Sequence, residues 1–350
     1  LAYKITIISQ SHSFTKYNLI IFLTNSQVMT KFLLPFLYSF IASAIAIFFL
    51  TKAKPSSERK FSLRRLGGII IIAVFVLLIV FNKDLVITKP IAGILAGSVL
   101  ILLFGLWDDI KSLSWKKQLL FQIIIAVTAI LFGVRSGFIS NPFGGTISLE
   151  NPLIYLPFFV LYYLLFMNSL NWLDGVDGLS GSVTLVALGT IFFLSFKPEV
   201  NQPATAILCA IAGGAVFGFL VYNFKPAQII AGTSGAWFFG FLLASLSIFA
   251  GAKIATVMTV SIIPILDLVR VTWERRGAGQ SIFRGKDDRH LHHKLLKSGV
   301  SERKILFFLA LASFLLGALA LALGAKGKII LFAAAAAIYI FVLSKINGRK

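Results

Sequence analysis

Eleven apolar runs, each close to the roughly 20 residues a helix needs to cross a bilayer, fill this chain. They lie near 32–51, 66–82, 86–107, 118–134, 153–170, 179–196, 204–222, 235–251, 253–273, 305–323 and 328–344. In hydrocarbon every backbone N–H and C=O must find its partner within the protein, so runs of this length fold as helices. Only 13% of the residues are charged and 58% are hydrophobic, with a mean hydropathy of +0.91. A soluble domain carries about 25% charged residues, so soluble globular and disordered folds are excluded. The single cysteine, Cys209, sits inside an apolar run and supports neither a disulfide framework nor a thiolate metal cluster. The fold class is therefore all-α: a polytopic membrane protein of about eleven transmembrane helices. Between the 235–251 and 253–273 runs there is room only for a tight hairpin or for one long kinked helix.

The net charge of +20 in such a chain speaks to topology and to anionic lipid, not to nucleic acid. If the loop after the first helix is cytoplasmic, that side holds 23 Lys and Arg against 10 opposite, and ten of the thirteen acidic residues. The N-terminus is then outside and the C-terminus cytoplasmic. Residues 1–28 are mixed polar without a complete span and read as an N-terminal extension, with Met29 as the working start. Their order does not match a cleavable signal peptide. Residues 29–350 read as one integral-membrane domain. No internal repeat is visible, which leaves a repeat-built transporter or flippase without support.

Acidic residues this scarce carry information. Asp108-Asp109 follow Leu106-Trp107 at the end of an apolar run. Two carboxylates there oppose the dipole of their own helix and repel each other. They form either a charged stop relieved by Lys111, Lys116 and Lys117, or a site for metal or proton transfer, and the second is favoured. Asn168, Asn171, Asp174 and Asp177 recur every three residues and share a helical face. Gly175 and Gly178 follow the two aspartates and allow close approach of a ligand. Hard oxygen ligands of this kind suit magnesium, which takes one or two carboxylates and completes its shell with water and substrate phosphate. The basic loop 270–304 is explained mostly by topology, except for Arg289-His290-Leu291-His292-His293, which holds three of the four histidines. With arginines beside them and no thiolate, an anion such as phosphate fits better than zinc. Arg64-Arg65-Leu66-Gly67-Gly68 at the start of the second helix is a weak signal. Asp267 either pairs with Arg270 one turn on or faces a cavity.

Carboxylates, histidines and arginines on one membrane face describe a site for phosphate esters. The chain resembles the polyprenyl-phosphate N-acetylhexosamine-1-phosphate transferases, the MraY/WecA-like group of glycosyltransferase family 4. The resemblance spans roughly residues 31–345. It rests on Asp108-Asp109, the Asn-x-x-Asn-x-x-Asp-Gly-x-Asp-Gly run from Asn168 to Gly178, Tyr222-Asn223 with Pro226-Ala227, Pro264-Ile265-Leu266-Asp267, and His290-Leu291-His292-His293. The His-x-His-His form is closer to the WecA and teichoic-acid branch.

The resemblance implies transfer of a sugar 1-phosphate, N-acetylglucosamine 1-phosphate, from a UDP-sugar to undecaprenyl phosphate or a similar polyprenyl phosphate. UMP is released, magnesium (Mg²⁺) is the cofactor, and the reaction initiates cell-envelope polysaccharide synthesis. It places the protein in the bacterial cytoplasmic membrane with the site on the cytoplasmic face; membrane lipid is a partner, nucleic acid is not, and a homodimer stays open. Asp108 or Asp109 would deprotonate or orient the lipid phosphate. Asn171 and Asp177 would sit at the metal. Asp174, Asp177 and Asn223 would shape the uridine or sugar pocket, and Arg289, His290, His292 and His293 would hold the diphosphate. One departure stands out. The family usually has Gly-Asp-x-Gly-Ser with a metal-binding Asp, whereas here the stretch reads Gly232-Thr233-Ser234-Gly235-Ala236. Thr233 brings a neutral hydroxyl to a metal position. The alternatives are a catalytically impaired member acting as a binding or scaffold protein, and a phospho-MurNAc-pentapeptide transferase of the MraY type.

Overall fold

The computed structural model describes residues 26–52, 63–141, 143–250, 253–281 and 288–347, the side chains of 26–28 and 347 excepted. Residues 1–25 of the expected N-terminal extension lie outside the described residues, as do Lys54, Lys60, Gly251, Ala252, Arg284 and Lys286. In chain order the helices are α1 (Ser26–Lys52), α2 (Gly67–Val80), α3 (Lys89–Lys111), α4 (Trp115–Leu131), α5 (Pro152–Leu173), α6 (Leu179–Leu194) and α7 (Pro203–Asn223). There follow α8 (Gly232–Phe249), α9 (Ile254–Val260), α10 (Ile262–Gly277), α11 (Leu291–Lys297), α12 (Glu302–Ala322) and α13 (Ala325–Asn347). Among the described residues the exception to the all-α architecture is a small antiparallel hairpin between α4 and α5, in which β1 (Phe138–Ser140) pairs with β2 (Thr146–Ser148).

All eleven apolar runs are helical, but not all are full spans. Among the described residues eight helices are long and apolar enough to cross a membrane, α2 being counted together with the short helical turn Leu63–Leu66 that leads into it, and α9 with α10 makes a ninth if that bent pair is one broken span. Helices α4 and α6 have 17 and 16 residues, about 25 Å at 1.5 Å per residue, short of a hydrocarbon core of about 30 Å. The 235–251 and 253–273 runs are not one continuous helix, because α8 ends at Phe249 and α9 begins at Ile254. The sharp bend lies inside the second run, where α9 and α10 meet at 78°. Pro264 accounts for it: it lacks the N–H that would reach back to the carbonyl of Val260.

Small residues decide which helices sit at the centre. In α7, Gly214 and Gly218 face the backbone of Phe36 and Phe40 in α1. Ser43 Oγ donates to the Ala215 carbonyl at 2.9 Å, and Ser39 Oγ to that of Ile211. Backbones approach this closely only where side chains are small. Over an 18-residue apolar stretch of each helix, 83% is buried in α7 and in α8, against 22% in α1 and 11% in α13. Helix α8 is tied to α5 by paired hydroxyls, Tyr162 to Ser247 at 2.8 Å and Tyr163 to Ser245 at 2.9 Å. The central α8 therefore fixes the frame, and its N-terminus opens onto the site.

Candidate active site

Asp108 and Asp109 end α3 against the start of α8, and neighbouring carboxylates meet opposite fates there. Asp109 caps α8 from outside: Oδ1 accepts Thr233 N at 2.8 Å, and Oδ2 accepts Ser234 N at 3.1 Å and Ser234 Oγ at 2.9 Å. The dipole opposition expected at the C-terminus of α3 is thus offset by the facing N-terminus of α8, whose free N–H groups favour an anion. Gly232 is required for this approach, since its φ is +69° and a Cβ would lie 2.7 Å from Asp109 Oδ1. Asp108 points the other way. Its Oδ1 accepts Leu113 N at 2.8 Å and Gln118 Nε2 at 2.9 Å, and its Oδ2 accepts Thr233 Oγ1 at 2.7 Å. Thr233 therefore clamps both carboxylates with neutral donors.

The turn after α5 carries the asparagine–aspartate run. Asn168 pairs with Gln122 of α4 (Nδ2 to Oε1, 2.8 Å). Asp174 closes α5 and accepts a hydrogen bond from Ser180 Oγ. Burial, with the charges of Asp109 and Asp177 adding to it, pushes the Asp174 carboxyl up to about 7. Asp177 and Asn223 do a different job. Asp177 Oδ2 accepts Ala227 N at 3.1 Å, while Asn223 accepts Gly178 N at 2.9 Å and donates to the Ile229 carbonyl at 2.7 Å. They stitch the 174–178 turn to the loop between α7 and α8. The backbone of Arg64 joins the same loop by accepting Ile230 N at 2.7 Å.

A compensated cluster stands behind the histidines. Asp267 pairs with Arg270 (Oδ1 to Nη2, 2.8 Å) and with His290 (Oδ2 to Nδ1, 2.7 Å). Of the two expectations for Asp267, pairing is what the structure contains. His290 meets Trp172 edge-on at 5.1 Å between centroids, and Arg275 lies 4.9 Å above the Trp172 ring. His292 is buried against Gly175, where a methyl group would collide with its Nε2. That Nε2 has no hydrogen-bond partner. Burial, and next the charge of His293, push His292 down to about 4; His293 is lowered as well, burial again the main cause.

These groups share one cavity of about 730 Å³, lined among others by Arg65, Asp108, Gln118, Gln122, Asn168, Asn171, Trp172, Asp174, Thr233, Arg275, His290, His292 and His293. Of the residues expected from sequence, Asp108, Asn171, Asp174, Thr233, His290, His292 and His293 meet in this cleft. Asp109, Asp177, Asn223 and Arg289 do not line it; Arg289 instead donates to Gln280 Oε1 at 2.8 Å. Trp172, Gln118 and Gln122 belong to no charge or histidine cluster in the sequence, and Arg275 is one of the bases of the 270–304 loop that topology alone explains. A signal existed for Arg275, which lies eight residues after Asp267, on the same face of α10. A second, apolar groove of about 520 Å³ shares Leu119, Asn168 and Trp172 with the cleft and runs along Phe158, Leu161, Leu165, Ile254, Met258 and Leu268.

Magnesium is implied by the resemblance, and the cleft's donors suit it in part. Asp108, Asn171 and Asp174 contribute two carboxylates and an amide oxygen to the lining of this cavity. The raised Asp174 carboxyl marks a place where a cation would stabilise charge. Among the described residues no group of three or more His, Cys, Asp or Glu is arranged to hold a metal unaided. Magnesium does not require one, because it keeps waters and takes substrate phosphate oxygens. Thr233, also expected at the metal, lines the same cavity and donates to Asp108 Oδ2, whereas Asp177 lies outside the cavity lining and accepts Ala227 N.

Residues 91–251 match the family model described as Glycosyl transferase family 4. The chain is 28% identical over 259 residues to the "Probable undecaprenyl-phosphate N-acetylglucosaminyl 1-phosphate transferase" of Bacillus subtilis (strain 168), covering 72% of this chain and 70% of that protein. It is 29% identical over 278 residues to the decaprenyl-phosphate N-acetylglucosaminephosphotransferase of Mycobacterium tuberculosis, with 71% and 69% covered. It is 25% identical over 314 residues to the phospho-N-acetylmuramoyl-pentapeptide-transferase of Clostridium beijerinckii, with 81% and 92% covered.

Proposed function

Since this chain belongs to glycosyl transferase family 4, we propose that it moves N-acetylglucosamine 1-phosphate from a UDP-sugar to undecaprenyl phosphate or a similar polyprenyl phosphate, releasing UMP. The observation that carries the reading is the adjacency of two cavities: a polar cleft with Asp108, Arg275 and His290 shares Leu119, Asn168 and Trp172 with an apolar groove. A water-soluble phosphate donor suits the first and a long isoprenoid chain suits the second. Both of the relatives with N-acetylglucosamine in their names act on polyprenyl phosphates by those names, which favours this sugar over the muramoyl-pentapeptide alternative. The concentration of Lys and Arg in the 270–304 segment, which carries His290, His292 and His293 into the cleft, supports a cleft on the cytoplasmic face of a bacterial plasma membrane.

In this reading an oxygen of the lipid phosphate attacks the sugar-bearing phosphorus of the UDP-sugar. The bond from that phosphorus to the bridging oxygen breaks, and UMP leaves with the electron pair. Asp108, held by Gln118, Leu113 and Thr233, orients the acceptor phosphate and takes its proton if it arrives protonated. His290, fixed by Asp267, and Arg275, stacked on Trp172, face the charge that builds on the diphosphate. Trp172 lines both the cleft and the groove. Magnesium, when bound by Asp108, Asp174 and Asn171, would supply charge neutralisation for the phosphate oxygens.

Purified protein in detergent, given UDP-GlcNAc, undecaprenyl phosphate and magnesium, should release UMP only when all three are present. UMP absent while both substrates bind would replace the enzyme reading by the scaffold one.

A further inference from the structure

Helix α13 is the least buried of the spans and lies beyond the residues that match the family model, yet it reaches the cleft through one hydroxyl. Tyr339 is 7% exposed, donates to Asp267 Oδ1 at 2.8 Å and accepts from Arg270 Nε at 2.9 Å. Asp267 Oδ1 also accepts Arg270 Nη2 at 2.8 Å and Leu291 N at 2.9 Å. With three donors on Oδ1, the carboxylate is fixed in plane and Oδ2 is left for His290 Nδ1 at 2.7 Å. The bond made by one ring nitrogen of a histidine sets which proton the other carries and where it points.

We propose that Tyr339 is a positioning residue for His290: by completing the donor set on Asp267 it holds the imidazole with Nδ1 protonated and Nε2 turned to the cleft. The Tyr339 ring does a second part of this work. It packs with Leu343 against Leu291 in a small apolar cluster of its own, which seats the first residue of α11 beside Asp267. Arg270 binds the arrangement together, because Nη2 also donates to the Arg289 carbonyl at 2.6 Å, just before His290. The last helix thus belongs to the site although it contributes nothing to its wall. This rests on the transferase reading only for its effect on turnover; the ring's state is a property of the protein itself.

Tyr339→Phe keeps the ring and removes the hydroxyl. Two measurements test it. The first is the ¹⁵N imidazole spectrum of histidine-labelled protein, with the His290 signal assigned by its loss in His290→Gln. Wild type should give one tautomer, protonated on Nδ1, and Tyr339→Phe should give a mixture of both. The second is steady-state kinetics, in which kcat should fall about tenfold, the lower end for a residue acting through another, with KM for UDP-GlcNAc changed less than threefold. An unchanged His290 signal would overturn the positioning role. A mixed signal with unaltered kcat would overturn its relevance to turnover. Wild-type protein that releases no UMP would count against the transferase reading, and the spectra would still decide the role of Tyr339.

Discussion

Two buried aspartate clusters reach the same cleft, one through Asp108 and the other through His290, and differ in one respect, the charge of their partners. At the α3–α8 seam, Asp108 and Asp109 accept hydrogen bonds from backbone N–H groups, Thr233, Ser234 and Gln118, and every one of these donors is neutral. At the α10–α11 corner, Asp267 is met by Arg270 and by His290, with Tyr339 closing the ring. Arg65 Nη1 reaches only the Asp109 backbone carbonyl, at 3.5 Å, and none of these carboxylate partners is positive, so the pair has use for a cation from solution. The corner is already balanced, and what it offers the cleft is an oriented imidazole. The same residue type thus serves to attract charge in one place and to build a rigid mount in the other.

The largest effect should come from the seam. Asp108→Asn removes the one carboxylate of the pair that faces the cleft, and turnover should fall by about 100-fold or more, with the thermal midpoint unchanged or raised. Asp109→Asn should also slow turnover, because the same cap locates Thr233. It should in addition lower stability by about 1–2 kcal/mol, the scale of a lost helix cap and its dipole interaction. Thermal melts of both variants beside UMP-release assays separate the roles, and two identical melting curves would remove the distinction.

How much of this was readable from the sequence follows from the distances involved. In a chain with 13 acidic residues, Asp108, Asn171, Asp174 and the histidines stand out because buried polarity needs a reason. The helices were equally plain from the apolar runs. Hidden was anything that depended on a distant partner. Asp109 becomes a cap through residues 124 and 125 positions away. Tyr339 lies 72 positions from Asp267 and reads as one aromatic among many in an apolar helix. Asp177 and Asn223 look like ligands in sequence because a carboxylate that accepts Ala227 N and one that binds substrate have the same composition signal. The short helices α4 and α6 and the break at Ser261 escaped for another reason: hydropathy measures where a run is apolar, not where its hydrogen-bond ladder ends.

At the corner the expected change is smaller in rate and larger in stability. Asp267→Asn leaves Arg270 with Glu274, 2.7 Å away, as its remaining carboxylate, and breaking such a buried pair costs about 3 kcal/mol. Turnover should drop about tenfold through His290. Magnesium affinity should not move, which is the sharpest contrast with the seam. A loss of magnesium binding in Asp267→Asn comparable to that in Asp108→Asn would merge the two clusters into one site.

A gain can be predicted at the seam as well. Thr233→Asp adds a third carboxylate where the wild-type hydroxyl touches Asp108 at 2.7 Å. Without magnesium the added repulsion should lower the thermal midpoint. With magnesium the substrate-free variant should bind the ion more tightly than wild type, and the advantage should shrink once UDP-sugar brings its own phosphates. Calorimetric titration with magnesium, with and without UDP-sugar, reads this directly, and equal affinities in both proteins would place position 233 outside the metal's reach.

The smallest effect belongs to His292, which lies between the clusters, packed on Gly175 and near His290, His293 and Asp267. Burial and the neighbouring His293 hold it down at about 4, whereas the unfolded chain titrates near 6.5. Between those two values the unfolded state binds the extra proton, so stability must fall as pH is lowered from 6.5 towards 4, and level off below. From pH 7 to pH 5 this amounts to about 2 kcal/mol. Asp174 contributes with the opposite sign over part of the range, since its raised carboxyl takes up a proton in the folded state first. The net slope of wild type is therefore uninformative, and the difference between proteins is what counts. His292→Gln, compared with wild type in thermal melts at pH 7 and pH 5, should lose less stability on acidification by about that amount. Parallel losses would mean that His292 accepts its proton in the folded protein, and that the wall between the two clusters is wetter than its burial implies.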